Sequence, residues 1–254
     1  MIYLLAFSGV VPAVVLMAVM ARFDSKRPEP KKQLYLATLF GGLSTIPVIF
    51  LQVALEKLNP GGVSGALYTA FGVAALTEET AKALVVYFVV WKSAAFDERL
   101  DGIVYATRAG LGFALVENVG YLMGAESLQG FIGIFIVRAI LAVPGHAIYA
   151  GFMGYWAARK KFDQTGPGLL GGLGIAIFLH GAYDAALFLI GVLGKQGGLA
   201  ALLILPLLAV PLVVVIGGFR RLKRHAEEAL RLDDVSHAPR PEPRLPFGMG
   251  FVLR

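Results

Sequence analysis

Seven mostly apolar blocks follow one another along the chain, at 2–21, 34–55, 65–91, 102–123, 131–157, 168–193 and 199–219. Each is long enough to cross the hydrocarbon core of a bilayer as a helix, which takes about 20 residues. A helix satisfies its own backbone hydrogen bonds, so hydrocarbon tolerates it. The expected fold is therefore all-α: a polytopic membrane helix bundle of about seven transmembrane helices. The loops between the blocks are too short to form a soluble catalytic domain. Charged residues make up only 16% of the chain and hydrophobic ones 57%, whereas soluble domains carry about 25% charged residues.

Loop charge gives an expected orientation. The first loop carries Arg22, Lys26, Arg27, Lys31 and Lys32, the third Lys92 and Arg99, and the fifth Arg159, Lys160 and Lys161. The last block is followed by Arg220, Arg221, Lys223 and Arg224, while the even-numbered loops hold only Lys57 and Lys195. By the positive-inside rule the odd loops and the C-terminus are cytoplasmic and the N-terminus is outside. The net charge of +6 is accounted for by these loops and the tail, so the expected partner is the lipid bilayer and no nucleic acid. Met1–Met20 lacks the basic start of a cleavable signal and is read as a first helix that stays. The expected location is the cell (inner or plasma) membrane, crossed several times. Residues 220–232 are expected to form a short basic amphipathic helix at the inner surface. Pro239, Pro241, Pro243 and Pro246 then predict a disordered end.

Several polar residues fall inside these blocks. Glu78, Glu79, Glu117, Asp184, His146 and His180 lie in segments that otherwise read as lipid-buried helix. A charge at mid-bilayer costs roughly 2.5–3.5 kcal/mol on insertion scales, and a merely structural span has no reason to carry that cost repeatedly. Converted to depth at 1.5 Å per residue, the six lie between the midplane and the outer leaflet on four helices of alternating direction. Lys82 is placed to reach both glutamates, at i+4 from Glu78 and i+3 from Glu79. Adjacent glutamates point about 100° apart, so one is expected to face a cavity and the other a neighbouring helix. His180 and Asp184 share a face at i, i+4, where a carboxylate fixes an imidazole tautomer. Arg108 and Arg138 read as structural ion-pair partners or snorkelling residues, and Asn118 as an interhelical or supporting polar residue. Gly110, Gly112 and Gly120 predict close packing of the fourth helix inside the bundle.

The residue types exclude several chemistries. The absence of cysteine removes thiolate nucleophiles and cysteine-ligated metals. There is no G-x-S-x-G elbow, and Ser44 has no base nearby in sequence. H-E-x-x-H is absent. Asp184 is the only deep aspartate, Asp101 lying at the inner mouth of the fourth span. The last span has no lysine for a retinal. What remains is glutamate and histidine, and three readings stay open. A glutamate in a low-dielectric cavity activates water as general base, with histidines or an amide stabilising the oxyanion. The same groups hold a divalent metal that activates water. Or they relay protons in a transporter.

Four motifs on successive helices carry a resemblance: Glu78-Glu79-x-x-Lys82, Phe113-x-x-x-Glu117-Asn118, Pro144-Gly145-His146 and His180-x-x-x-Asp184. In this order they resemble the PrsW family, itself similar to the CAAX-processing and bacteriocin-processing membrane endopeptidases. The resemblance covers about 70–190, which makes that stretch the expected catalytic core of an integral domain spanning 1–219, with 220–254 as a cytoplasmic basic tail. It implies a membrane-embedded endopeptidase whose partners are membrane protein substrates, such as single-pass anti-sigma factors cut toward the outer face. Glu78 and Glu79 would be the core of the catalytic site. His146 and His180 would orient water or bind the oxyanion, Glu117 and Asp184 would support or ligate, and Lys82 and Asn118 would assist. A glutamate-type mechanism without cofactor is the expectation. The metal-dependent alternative places zinc on Glu79, Glu117, His146 and His180.

Overall fold

The computed structural model describes residues 5–22 and 24–237, and among these it is helical throughout, with no strand. Helix α1 is Phe7–Met20, α2 Lys31–Glu56, and α3 occupies residues 62–90. Helix α4 is Arg99–Met123, α5 Leu128–Asp163, α6 Gly168–Gln196 and α7 Gly198–His237. Four of them (α2, α5, α6 and α7) are long and apolar enough to cross a membrane. Helix α1 is shorter, and α3 and α4 carry the charged residues that lower their hydropathy. Phe50, Phe88, Phe178 and Leu205 stand exposed on the outer faces, a surface that lipid covers and water would not.

Local sequence explains where the helices begin and end. Pro28 and Pro30 precede α2, and Pro60-Gly61 precedes α3, where Gly61 and Gly62 take φ of +76° and +59° that a residue with a Cβ rarely adopts. The N-terminus of α4 is closed by a reciprocal capping box between Glu98 and Asp101, and that of α5 by Ser127, which accepts from the Gly130 amide at 3.1 Å. Helix α3 is not uniformly α. Residues Tyr68–Ala75 and Val86–Val90 take wider π turns on either side of the Glu78–Lys82 turn, and Arg138–Ala142 does the same in α5 just before His146. Such insertions rotate everything beyond them and recur at functional sites.

Helix α4 is the buried centre. A methyl group built on Gly154 of α5 would strike the Gly102 carbonyl of α4, and one on Gly112 would strike the Thr38 carbonyl of α2. Backbones therefore touch, as small residues allow. Gly110 fits the same expectation against His146 of α5. Gly120 does not: nothing lies within 4 Å of its added Cβ, because it lines the cavity.

The basic segment after the last apolar block is helical, as its pattern predicts, but it is no separate surface helix. It continues α7 unbroken to His237. Leu222, Ala226, Ala229 and Asp233 fall on one face and are buried against the bundle. The Asp233 carboxylate accepts from the backbone amides of Arg99 and Leu100 and from the Arg99 guanidinium, each at 3.0 Å, and so satisfies the open amides at the start of α4. Replacing Asp233 by alanine is expected to cost about 2 kcal/mol, the upper range for a lost N-terminal cap, read as a lower unfolding midpoint in detergent. The prolines from Pro239 onward lie outside the described residues.

Candidate active site

Four helices deliver the acidic and imidazole side chains to one place. From α3, Glu79 and Lys82 are fully buried and paired, Lys82 Nζ lying 2.6 Å from Glu79 Oε1 and 3.7 Å from Glu78 Oε2. Lys82 Nζ also lies 2.8 Å from His146 Nδ1 of α5. With that nitrogen accepting from the ammonium, His146 Nε2 carries the ring proton and donates to Glu117 Oε2 of α4, 2.8 Å away. From α6, His180 places Nδ1 2.8 Å from Glu79 Oε1 and Nε2 3.3 Å from Asp184 Oδ2. The two imidazoles meet edge to face, 5.4 Å between centroids.

All six residues singled out by depth are thus gathered in one network, together with Lys82. The two glutamates divide as their helical spacing predicts. Glu79 faces inward to Lys82 and His180, whereas Glu78 lines a cavity of about 630 Å³. Gln52 of α2 donates to Glu78 Oε1 at 3.2 Å. Glu78 Oε2 is buried without a hydrogen-bond partner among the described residues, 4.0 Å from His180 Nε2. Glu117, His146, His180 and Asp184 line the same cavity. Asn118 stands apart from the acid–imidazole core: it accepts from Arg138 Nε at 2.6 Å and donates to the Gly9 carbonyl at 2.8 Å. Arg138 pairs with Glu117 at 2.8 Å. Gln52 and Tyr149 were not anticipated. Gln52 is a lone amide in an apolar run, and Tyr149 sits one turn beyond His146; both signals are weak without the fold.

A second acidic group lies outside the membrane stretch. Glu29, Asp97 and Asp101 bring oxygen atoms within 4.8 Å of one another. Burial, then the charge of Glu29, pushes the Asp101 carboxyl up to about 9. The folded protein therefore holds a proton that the unfolded chain has released by about pH 4. Stability is expected to fall as pH rises from about 4 to about 9. Unfolding midpoints at pH 5 and pH 8.5 test this, and Asp101→Asn should flatten the difference.

Apolar helices thus close around an acid–imidazole network at the head of a cavity, an arrangement that suits water-activating chemistry inside a membrane. A family profile described as PrsW family intramembrane metalloprotease matches residues 29–216. The chain is 37% identical to a protein named Protease PrsW from Geobacillus kaustophilus (strain HTA426), covering 70% of this chain and 76% of the relative. It is 32% identical to Protease PrsW from Bacillus subtilis (strain 168) over 70% of this chain and 79% of the relative. It is 33% identical to Protease PrsW from Clostridioides difficile (strain 630) over 71% and 78%. No solved structure matches the chain. The chain belongs to the PrsW family, and it is a peptidase of the membrane.

The family's description makes a metal plausible. Ligating atoms of Glu78, Glu117 and His146 lie within 4.8 Å of one another. Two carboxylates and an imidazole, with positions left open, are a donor set that suits a catalytic divalent cation, and these residues fit one once His146 Nε2 gives up its proton. Glu117 and His146 are common to this group and to the set the sequence suggests; Glu78 lies with them here, while Glu79 and His180 pair with each other and with Lys82 and Asp184.

Proposed function

We propose that this protein is an endopeptidase that cuts membrane protein substrates at Glu78, with the carboxylate activating water directly. The observation that carries the reading is the unpartnered Glu78 Oε2 at the head of the cavity. A water beside that oxygen gives up a proton to it and attacks the substrate carbonyl, and Glu78 returns the proton to the leaving amine. Lys82 and His180 lie close enough to favour the negative charge that develops. Glu79 and Asp184 hold Lys82 and His180 in place, and Glu117 does the same for His146.

The proposed topology is seven spans with the N-terminus outside and the tail in the cytoplasm. Ion pairs support one side of it. Lys26 pairs with Asp234, Arg27 with Glu98 and Asp234, and Arg99 with Asp163 and Asp233, so the first, third and fifth loops and the tail meet at one end. The cavity runs the other way, past Glu56, Thr69, Met123 and Phe188. Substrates therefore enter from the outer half of the bilayer, as single-pass proteins of the anti-sigma-factor kind would. The membrane concerned is the cell membrane.

The metal-dependent reading is favoured by one observation, the convergence of Glu78, Glu117 and His146. A divalent ion there, zinc among the candidates, would supply a Lewis acid that makes bound water nucleophilic. Lys82 weighs against it, because its contact with His146 Nδ1 leaves the proton, not a lone pair, on Nε2. Purified protein in liposomes with a tagged single-pass substrate separates the two. The direct mechanism keeps cleavage in excess chelator. Loss in chelator with rescue by zinc would replace it with the metal reading.

A further inference from the structure

We propose that the Tyr149 hydroxyl is a catalytic hydrogen-bond donor that binds the scissile carbonyl oxygen as charge develops on it. This rests on the peptidase reading, with Glu78 as the water-activating group.

Tyr149 lines the cavity, is 1% exposed, and its hydroxyl has no hydrogen-bond partner among the described residues. A buried polar group without a partner is costly, so its retention calls for a ligand. The ring is fixed: it stacks on His180 at 5.1 Å between centroids and 19° between planes. Room for the hydroxyl is made one turn earlier, at Gly145. A Cβ there would lie 2.8 Å from the Tyr149 oxygen and 3.1 Å from its Cζ. The glycine of the Pro144-Gly145-His146 motif is thereby explained.

Most of the other donors around the site are already engaged, although Arg138 Nη1 has no hydrogen-bond partner among the described residues. Lys82 serves Glu79 and His146, His146 serves Glu117, His180 serves Glu79 and Asp184, Arg138 serves Glu117 and Asn118, and Gln52 serves Glu78 and Thr77. An oxyanion needs a donor that is not already engaged. Tyr121 and Tyr183 also line the cavity, but Tyr121 is 51% exposed, and the hydroxyl that is both buried and unpartnered belongs to Tyr149.

The step balances without a further reactant. Water oxygen bonds to the carbonyl carbon while Glu78 takes one of its protons. The carbonyl π pair moves onto oxygen, which accepts the Tyr149 O–H hydrogen bond, and tyrosine keeps its proton. Collapse re-forms the carbonyl and breaks the C–N bond, with the proton on Glu78 passing to the leaving amine.

The test uses purified full-length Tyr149→Phe with a tagged single-pass substrate in liposomes, measuring kcat, KM and the unfolding midpoint. Phenylalanine keeps the stacking and removes only the unpaired hydroxyl. The expected result is a fall in kcat of about 10²-fold, as for an oxyanion donor, with KM unchanged and a midpoint equal to or above that of the wild type. A Tyr149→Phe variant with wild-type kcat overturns the proposal, as does a loss of activity that comes with a lowered midpoint. Glu78→Gln is measured alongside. If it is inactive while Tyr149→Phe is fully active, only the tyrosine role is lost; if it cleaves like wild type, the peptidase site itself is misplaced.

Discussion

Replacing Glu78 by glutamine is expected to slow substrate cleavage by about 10²–10⁴-fold, the range for removing a general base, while the protein still folds. Glutamine has nearly the shape of glutamate and retains an oxygen that can accept from Gln52. Glu78 Oε2 has no hydrogen-bond partner to lose. Its ionic contacts are long, 3.7 Å to Lys82 and 4.0 Å to His180, against 2.6 Å from Lys82 to Glu79. The substitution therefore removes proton-accepting capacity at the cavity and little packing. Cleavage kinetics and an unfolding midpoint on the same preparation measure the two effects separately.

The second large effect concerns stability. Lys82→Met is expected to destabilise the protein by about 3–5 kcal/mol, the cost of leaving a buried charge without its partner. Lys82 and Glu79 are both fully buried. Methionine fills similar space without the ammonium. Glu79 is then left with His180 alone, Glu78 loses its nearest cation, and His146 Nδ1 loses its donor. A denaturant midpoint in detergent measures the loss. Adding Glu79→Gln to the same chain should recover part of it, because the stranded charge is gone.

Much of this site was readable before the fold was known. Charged residues in apolar helices are costly enough to mark themselves, and their positions in the spans convert to depth. The division of labour between Glu78 and Glu79 follows from the 100° between neighbours on a helix. Which of the two faces the cavity does not follow. That is set by the π turns at Tyr68–Ala75 and Arg138–Ala142, which rotate α3 and α5 by an amount that a 3.6-residue pattern does not contain. The partners Gln52 and Tyr149 became visible only through contacts between helices distant in sequence. The tail shows the same limit. Its stripe of Leu222, Ala226, Ala229 and Asp233 announces a buried face, but a membrane surface and the underside of the bundle offer such a face equally good cover. Asp233 at the start of α4 decides between them.

Peptide bonds of membrane proteins are expected to be cut at the network around Glu78. Co-expression with a panel of tagged single-pass membrane proteins tests it most directly, comparing wild type with Glu78→Gln and His180→Ala at matched protein levels. The expected result is a tagged fragment with the wild type and none above background with either variant. Fragments undiminished in both variants would contradict it.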